Sequence, residues 1–198
     1  MYKLNEMLNI IKSLKIHSIM YEGMPENSET SERPIYHKLP YSPSEKIAVG
    51  LSVSIISLHW IYILLSYNDL PATIPVHWNF YGKPDSFQSK ELTFMIPSIS
   101  LVIFILSQAL SNYPHKYNYP VKITHNNAKF QYILVRKFQR SLIAGISLLL
   151  FVVSIITLSA INNTDQSLST LSILIIVGFL VAIVTSICYY RALARRYV

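Results

Sequence analysis

The chain has 198 residues, with 17 Lys or Arg against 10 Asp or Glu and a formal net charge of +7. Charged residues are 14% of it, where a soluble domain carries about a quarter. Residues 47–68, 92–115, 141–164 and 166–190 carry no formal charge, and each window exceeds the roughly 20 residues that cross about 30 Å of hydrocarbon. These windows exclude a soluble globular enzyme, a nucleic-acid-binding domain and a disordered chain.

Residues 1–20 are not expected to be a secretory leader, because Glu6, Lys12 and Lys15 interrupt any apolar core. Leu4, Met7, Leu8, Ile11, Leu14 and Ile19 follow helical spacing. The expectation is an amphipathic helix, lying either on the cytoplasmic face of the membrane or on the protein's own loops. Residues 21–46 hold Glu22, Glu26, Glu29, Glu32 and the prolines Pro25, Pro34, Pro40 and Pro43, a composition expected to give a polar, extended linker.

The charge-free windows predict an all-α integral membrane four-helix bundle over residues 47–190, with spans at 47–67, 92–112, 141–161 and 168–190 and a basic tail at 191–198. The first span is the least apolar. Ser52, Ser54, Ser57 and His59 are expected to turn it toward the other spans. Pro97 falls in the first turns of the second span, where a missing N–H costs little. Residues 171–187 of the fourth hold twelve Leu, Ile, Val or Phe, worth roughly −4 to −7 kcal/mol toward insertion. Gly178, Ala182 and Ser186, like Ser141 and Gly145, recur at the spacing that lets membrane helices approach closely. Cys188 is the lone cysteine, so no intrachain disulfide forms. It reads as a small packed hydrophobe or as a palmitoylation site. The spans contain no Asp, Glu or Arg of the kind that marks an ion pathway.

Lys and Arg crowd residues 1–46, 113–140 and 191–198, while 68–91 holds only Lys83 and Lys90. Positive-inside logic puts both termini and the middle loop in the cytoplasm of a cell-membrane protein, with 68–91 outside. Asn162-Asn163-Thr164 reads as a weak glycosylation sequon in a short outer turn. Residues 123–140 predict a helix running into the third span, with Lys129, Arg136 and Arg140 together on one side. That basic stripe is expected to touch the membrane surface or a cytoplasmic partner. No recognition fold accompanies it, so nucleic acid is not an expected partner.

The external loop is rich in proline and aromatic residues. Pro71, Pro75 and Pro84 forbid a regular helix. Val76, Trp78 and Phe80 alternate with His77, Asn79 and Tyr81, which predicts a short extended segment with an apolar edge. Gly82-Lys83-Pro84-Asp85 is turn chemistry. Two readings stay open: a structural cap seated on the bundle by aromatics, and a ligand site formed by His77, Trp78, Asn79, Gly82, Asp85 and Lys90. For a metal, His77 finds only Asp85 and His59 as candidate partners. No metal or other cofactor is expected, and no catalytic residue is assigned, although Ser86 and Ser89 are near His77 in sequence.

Leu70-Pro71, Ile74-Pro75, His77-Trp78-Asn79, Gly82, Pro84-Asp85 and Ser89-Lys90 resemble the signature of the SdpI-like bacterial membrane protein family, domain of unknown function 1648. Asn118-Tyr119-Pro120, Ile123-Thr124, Asn127 and Gln131-Tyr132 resemble the stretch that follows that family's second helix. The resemblance covers roughly residues 47–160. It implies a bacterial plasma-membrane protein and, by its immunity members, protection against a secreted peptide toxin with signalling through repressor capture. Against those members this sequence shows one further span after the shared region in place of a longer C-terminal half, and 46 residues before it, so repressor capture is not expected of it. With that outer-loop motif on a bundle expected to hold no buried charge, the expected function is non-enzymatic: binding of a peptide or lipid through loop 68–91, with the bilayer and a peptide toxin or another membrane protein as partners. The alternatives are a membrane-embedded enzyme acting on a lipid or wall precursor and a scaffold subunit of a membrane complex.

Overall fold

The computed structural model describes residues 33–36, 39–161 and 169–196. The expected amphipathic helix at 1–20, most of the linker and the 162–167 turn with its sequon lie outside the described residues. Helix α1 spans Pro43–Ser66, strands β1 and β2 span Thr73–Trp78 and Pro84–Ser89, and helices α2, α3 and α4 span Met95–Leu110, His125–Ile161 and Thr170–Arg196. Short 3-10 turns at Tyr67–Asp69, Lys90–Phe94 and Pro114–Lys116 join them. Four helical segments are long and apolar enough to cross a membrane: Pro43–Asp69, Lys90–Leu110, His125–Ile161 and Thr170–Arg196.

The first segment begins earlier than the charge-free window indicates. Ser42 caps α1, accepting from the Glu45 amide while the Glu45 carboxylate accepts from the Ser42 amide. With Pro43 at the first helical position, this reciprocal cap starts the helix inside the expected linker. Helix α1 buries Glu45, Ala48, Ser52, Ile56, His59 and Ile63, a stripe at steps of three and four that follows one helical face. Ser52 and His59 therefore turn inward as expected, while Ser54 and Ser57 are exposed.

The predicted helix over 123–140 and the third span are one continuous helix of 37 residues, about 55 Å long at 1.5 Å per residue. That exceeds the hydrocarbon thickness of about 30 Å, so one end extends beyond it. Thr124 and Asn127 bond reciprocally at its start, Asn127 Oδ1 accepting from the Thr124 amide at 2.9 Å. Helix α3 is the central element, packed against α1, α2 and α4. Its contact surfaces are small and polar. Ser147 and Ser154 of α3, Ser52 of α1, and Ser100 and Ser107 of α2 are buried, whereas Leu51, Leu58, Leu64, Leu106 and Leu174 are exposed. Burying the small polar groups and exposing the leucines suits lipid as the surrounding solvent.

Helix α4 buries only Tyr190 and Ala194. Tyr190 stacks on Phe138 at 4.5 Å between ring centroids, and Gln131 Nε2 donates to the Ala194 carbonyl at 2.9 Å. The close approach expected at Gly178 and Gly145 does not occur among the described residues. A Cβ added at either would meet nothing within 4 Å. Cys188 is exposed rather than packed.

The expectation of an all-α chain also omits a two-stranded antiparallel hairpin between α1 and α2. Its strands pair Ile74 with Gln88, Pro75 with Phe87 and His77 with Ser86, with irregularities on either side of His77. The prolines set this form: Pro75 cannot donate to the ladder, and Pro84 opens β2 where no amide is needed.

Candidate functional site

The bundle has two unlike ends. At one, the hairpin follows α1; at the other, the middle loop, the start of α3 and the last turns of α4 meet.

At the hairpin end, the extended strand is present, and Ile74, Val76 and Trp78, on one row of the alternation, line the hollow beneath it. Phe80 and Tyr81 in the turn are 96% and 83% exposed, while Ile74 is buried in a cluster with Ile63 of α1 and Leu158 and Ile161 of α3. Pro75 is buried beside Ile74, and the irregularities of register begin only after these two regular pairs, on either side of His77. Lys90 also anchors the hairpin. Its amide donates to the Ala72 carbonyl at 3.1 Å, and its Nζ donates to the Tyr67 carbonyl at 3.3 Å and lies 4.3 Å from the Tyr67 ring centre. An ammonium at the carbonyl end of α1 is favourably placed against the helix dipole.

Asn79 and Gly82 shape the turn. Asn79 Oδ1 accepts from the amides of Tyr81 at 2.9 Å and Lys83 at 3.1 Å, and its carbonyl accepts from Gly82 at 2.9 Å. Gly82 has φ 74°, a left-handed conformation that glycine adopts without the Cβ penalty. His77 and Asp85 meet across the strands, Nδ1 to Oδ1 at 2.5 Å, both side chains substantially exposed. The six residues expected to form one ligand site thus divide. His77 and Asp85 form an exposed polar pair, Asn79 and Gly82 hold the turn, Lys90 docks on α1, and Trp78 reaches a cavity below.

That cavity, of about 460 Å³, lies between the hairpin and helices α1, α2 and α3. Ile63, Trp78, Met95, Ile96, Val153 and Leu158 give it apolar walls, and Ser154 brings a hydroxyl. Ser154 Oγ is 2.8 Å from His59 Nε2, both side chains are buried, and the imidazole stacks on Phe151 at 5.1 Å. His59 was legible as a polar residue inside a span. Its pairing with Ser154, 95 residues away, was not. Among the described residues, no three His, Cys, Asp or Glu side chains gather to hold a metal ion.

At the other end, two of the three expected surface cations are buried. Arg136 and Arg140 are 4% and 5% exposed. Arg136 Nε donates to Glu45 Oε1 at 2.5 Å, and Nη2 donates to the Pro40 carbonyl at 2.6 Å. Arg140 Nη1 reaches Glu45 Oε1 at 3.5 Å and Nη2 donates to Ser111 Oγ at 3.2 Å. The stripe with Lys129 therefore does not present these two guanidiniums to a leaflet or partner, because the early start of α1 sets Glu45 against them. Lys129 is half-buried. A bundle free of buried charge is corrected for the same reason, since this cluster sits just outside the charge-free windows. The signal available in the sequence was the Ser42-x-x-Glu45 capping pattern before an apolar run.

The family described as a domain of unknown function (DUF1648) matches residues 55–101, from the middle of α1 through the hairpin into α2. An archaeal relative from Archaeoglobus fulgidus, named only as an uncharacterized protein, is 32% identical over 89 residues, which is 41% of this chain and 49% of the relative. The chain thus spans about half the length of that relative. No solved structure matches. The matched region includes the hairpin and leaves out Asn118–Tyr132, where the middle-loop resemblance falls.

Proposed function

We propose that the chain is a non-enzymatic, multi-pass plasma-membrane protein of the SdpI-like type. It binds the apolar part of a peptide or lipid in the cavity beneath the hairpin. The hairpin faces outward and both termini face the cytoplasm, an orientation supported by the excess of Lys and Arg at the opposite end. The observation that carries the reading is the cavity of about 460 Å³, walled by apolar groups and roofed by the strand that bears Trp78 and His77. An apolar recess with few polar groups suits a ligand that supplies its own greasy segment. The exposed His77–Asp85 pair would meet the ligand's polar part.

Binding is tested in vesicles with a Trp60→Phe variant, which leaves Trp78 as the single tryptophan. A phospholipid carrying a mid-chain nitroxide should quench Trp78 saturably, and an apolar peptide should compete. Quenching that rises only linearly with probe, with no competition, would dismiss the site. Immunity is tested separately in cells sensitive to a secreted peptide toxin. Equal survival with and without the intact chain would end that part of the reading.

One observation favours a second reading, a membrane-embedded enzyme. Ser154 Oγ and His59 Nε2 stand at hydrogen-bond distance beside the cavity, the relation a nucleophile has to its base. Labelling of Ser154 by a fluorophosphonate, lost in His59→Ala, would support it. Absence of labelling in the folded protein would return the pair to a bond between helices.

A further inference from the structure

We infer a second binding site at the opposite end of the bundle, built on the paired guanidiniums of Arg136 and Arg140, for a phosphate-type anion, whether a phospholipid headgroup or free phosphate. Two guanidiniums face one carboxylate there, leaving a net positive charge in a buried cluster. The two arginines are unequally satisfied. Arg136 donates to Glu45 through Nε and Nη2 and to the Leu39 and Pro40 carbonyls through Nη1 and Nη2. Arg140 has only the long contact to Glu45 and the bond to Ser111, and its buried Nε has no partner among the described residues. A guanidinium carries five N–H donors, and a buried one with unused donors is costly unless an anion completes it.

Space for that anion is present. A cavity of about 430 Å³ is lined by Tyr36, Tyr41, Ser111, Asn112 and Arg136. Arg136 lines it directly, and Arg140 stands behind two of the lining residues. Ser111 accepts its Nη2, and the Tyr41 ring lies 4.3 Å from its guanidinium carbon and 4.6 Å from that of Arg136. Ser111 already donates its own proton to the Gln108 carbonyl at 2.8 Å, so the positive charge, not the serine, provides the attraction. Asn112 is exposed and offers an amide at the rim. The site lies where α1 begins and α2 ends, the level at which a leaflet's phosphates stand if these helices cross the bilayer. Guanidinium is the side chain best matched to a tetrahedral oxyanion. This inference is independent of the hairpin cavity.

The test uses the full chain in phosphatidylcholine nanodiscs, with and without phosphatidylglycerol, and in neutral discs with added inorganic phosphate. The thermal midpoint is the readout, since a ligand that binds the folded state raises it. A rise with phosphatidylglycerol alone assigns a lipid headgroup; a rise also with inorganic phosphate assigns the free anion. Arg140→Gln should weaken the response about tenfold or more, the scale of a lost charged hydrogen bond. Because that variant alters a buried cluster, rim variants serve beside it. Asn112→Asp should weaken anion binding and Asn112→Lys should tighten it, opposite signs that a merely structural role for the cluster would not produce. No rise in either arm, or a rise unchanged in both Asn112 variants, overturns the inference.

Discussion

Glu45 Oε1 accepts from Arg136 Nε at 2.5 Å across 91 residues of sequence, joining the first turn of α1 to the N-terminal part of α3. Both side chains are buried. Removing one partner of such a pair leaves the other charged and unpaired, at a cost of about 3–5 kcal/mol. Glu45→Ala and Arg136→Ala should each lower resistance to unfolding in detergent by that order. Arg140→Gln should cost clearly less, because Arg140 makes fewer and longer bonds. Equal losses for Arg136 and Arg140 would contradict the inequality between them.

The hairpin turn depends on backbone conformation more than on its exposed charges. Gly82→Ala places a Cβ at φ 74°, worth about 1–2 kcal/mol of strain. Faster amide exchange in β1 and β2, with the helices unaffected, is the expected result. Asn79→Ala removes the acceptor for two turn amides and should act in the same direction.

By contrast, His77→Ala and Asp85→Asn should leave stability within about 1 kcal/mol of the parent, as is usual for a solvent-exposed pair. Any larger effect of these changes on ligand binding then reports contact with ligand. Thermal midpoints measured beside Trp78 quenching separate the two.

The bond between His59 and Ser154 ties α1 to α3 inside the apolar region. Ser154→Ala should cost about 1–2 kcal/mol. In a His59→Phe background the same change should cost much less, and that non-additivity is measured by a double-mutant cycle.

Burial raises the Tyr119 phenol above its ordinary value, and its hydroxyl donates to the Pro114 carbonyl at 2.8 Å. The unfolded chain releases this proton near about pH 10, while the folded protein retains it. The contribution to stability is complete below that pH and is lost as pH rises beyond it. Tyr117, raised chiefly by burial, adds in the same direction. Absorbance titration should show phenols that ionise only as the fold opens, and Tyr119→Phe should remove part of the alkaline loss.

Composition and spacing made much of this architecture legible. The charge-free windows located four crossing-length helices, and Gly82 with Pro84 located the turn. The helix starts were harder to read. Prolines around Glu45 look like a linker, yet Ser42 and Pro43 nucleate α1, and the local cap prevails over composition. Arg136 and Arg140 carry the charge pattern of surface anchors. Glu45, Ser111 and the Leu39 and Pro40 carbonyls, brought near by tertiary packing, turn them inward. The seating of the hairpin was legible in part: Ile74, Val76 and Trp78 share one row of the alternation and line one cavity, whereas the contact of Ile74 with Ile63 and Leu158 comes from tertiary packing.

Helix α4 is held most firmly near Tyr190 and Ala194, which are buried, and Ser172, Ile176, Phe179, Ile183 and Ser186 form a half-buried row at steps of three and four along the rest of its length. One face therefore leans on its neighbours from Thr170 to Tyr190, about 30 Å. The opposite face, with Leu174, Val177, Val181 and Val184 exposed, is left for hydrocarbon chains to cover over that whole length.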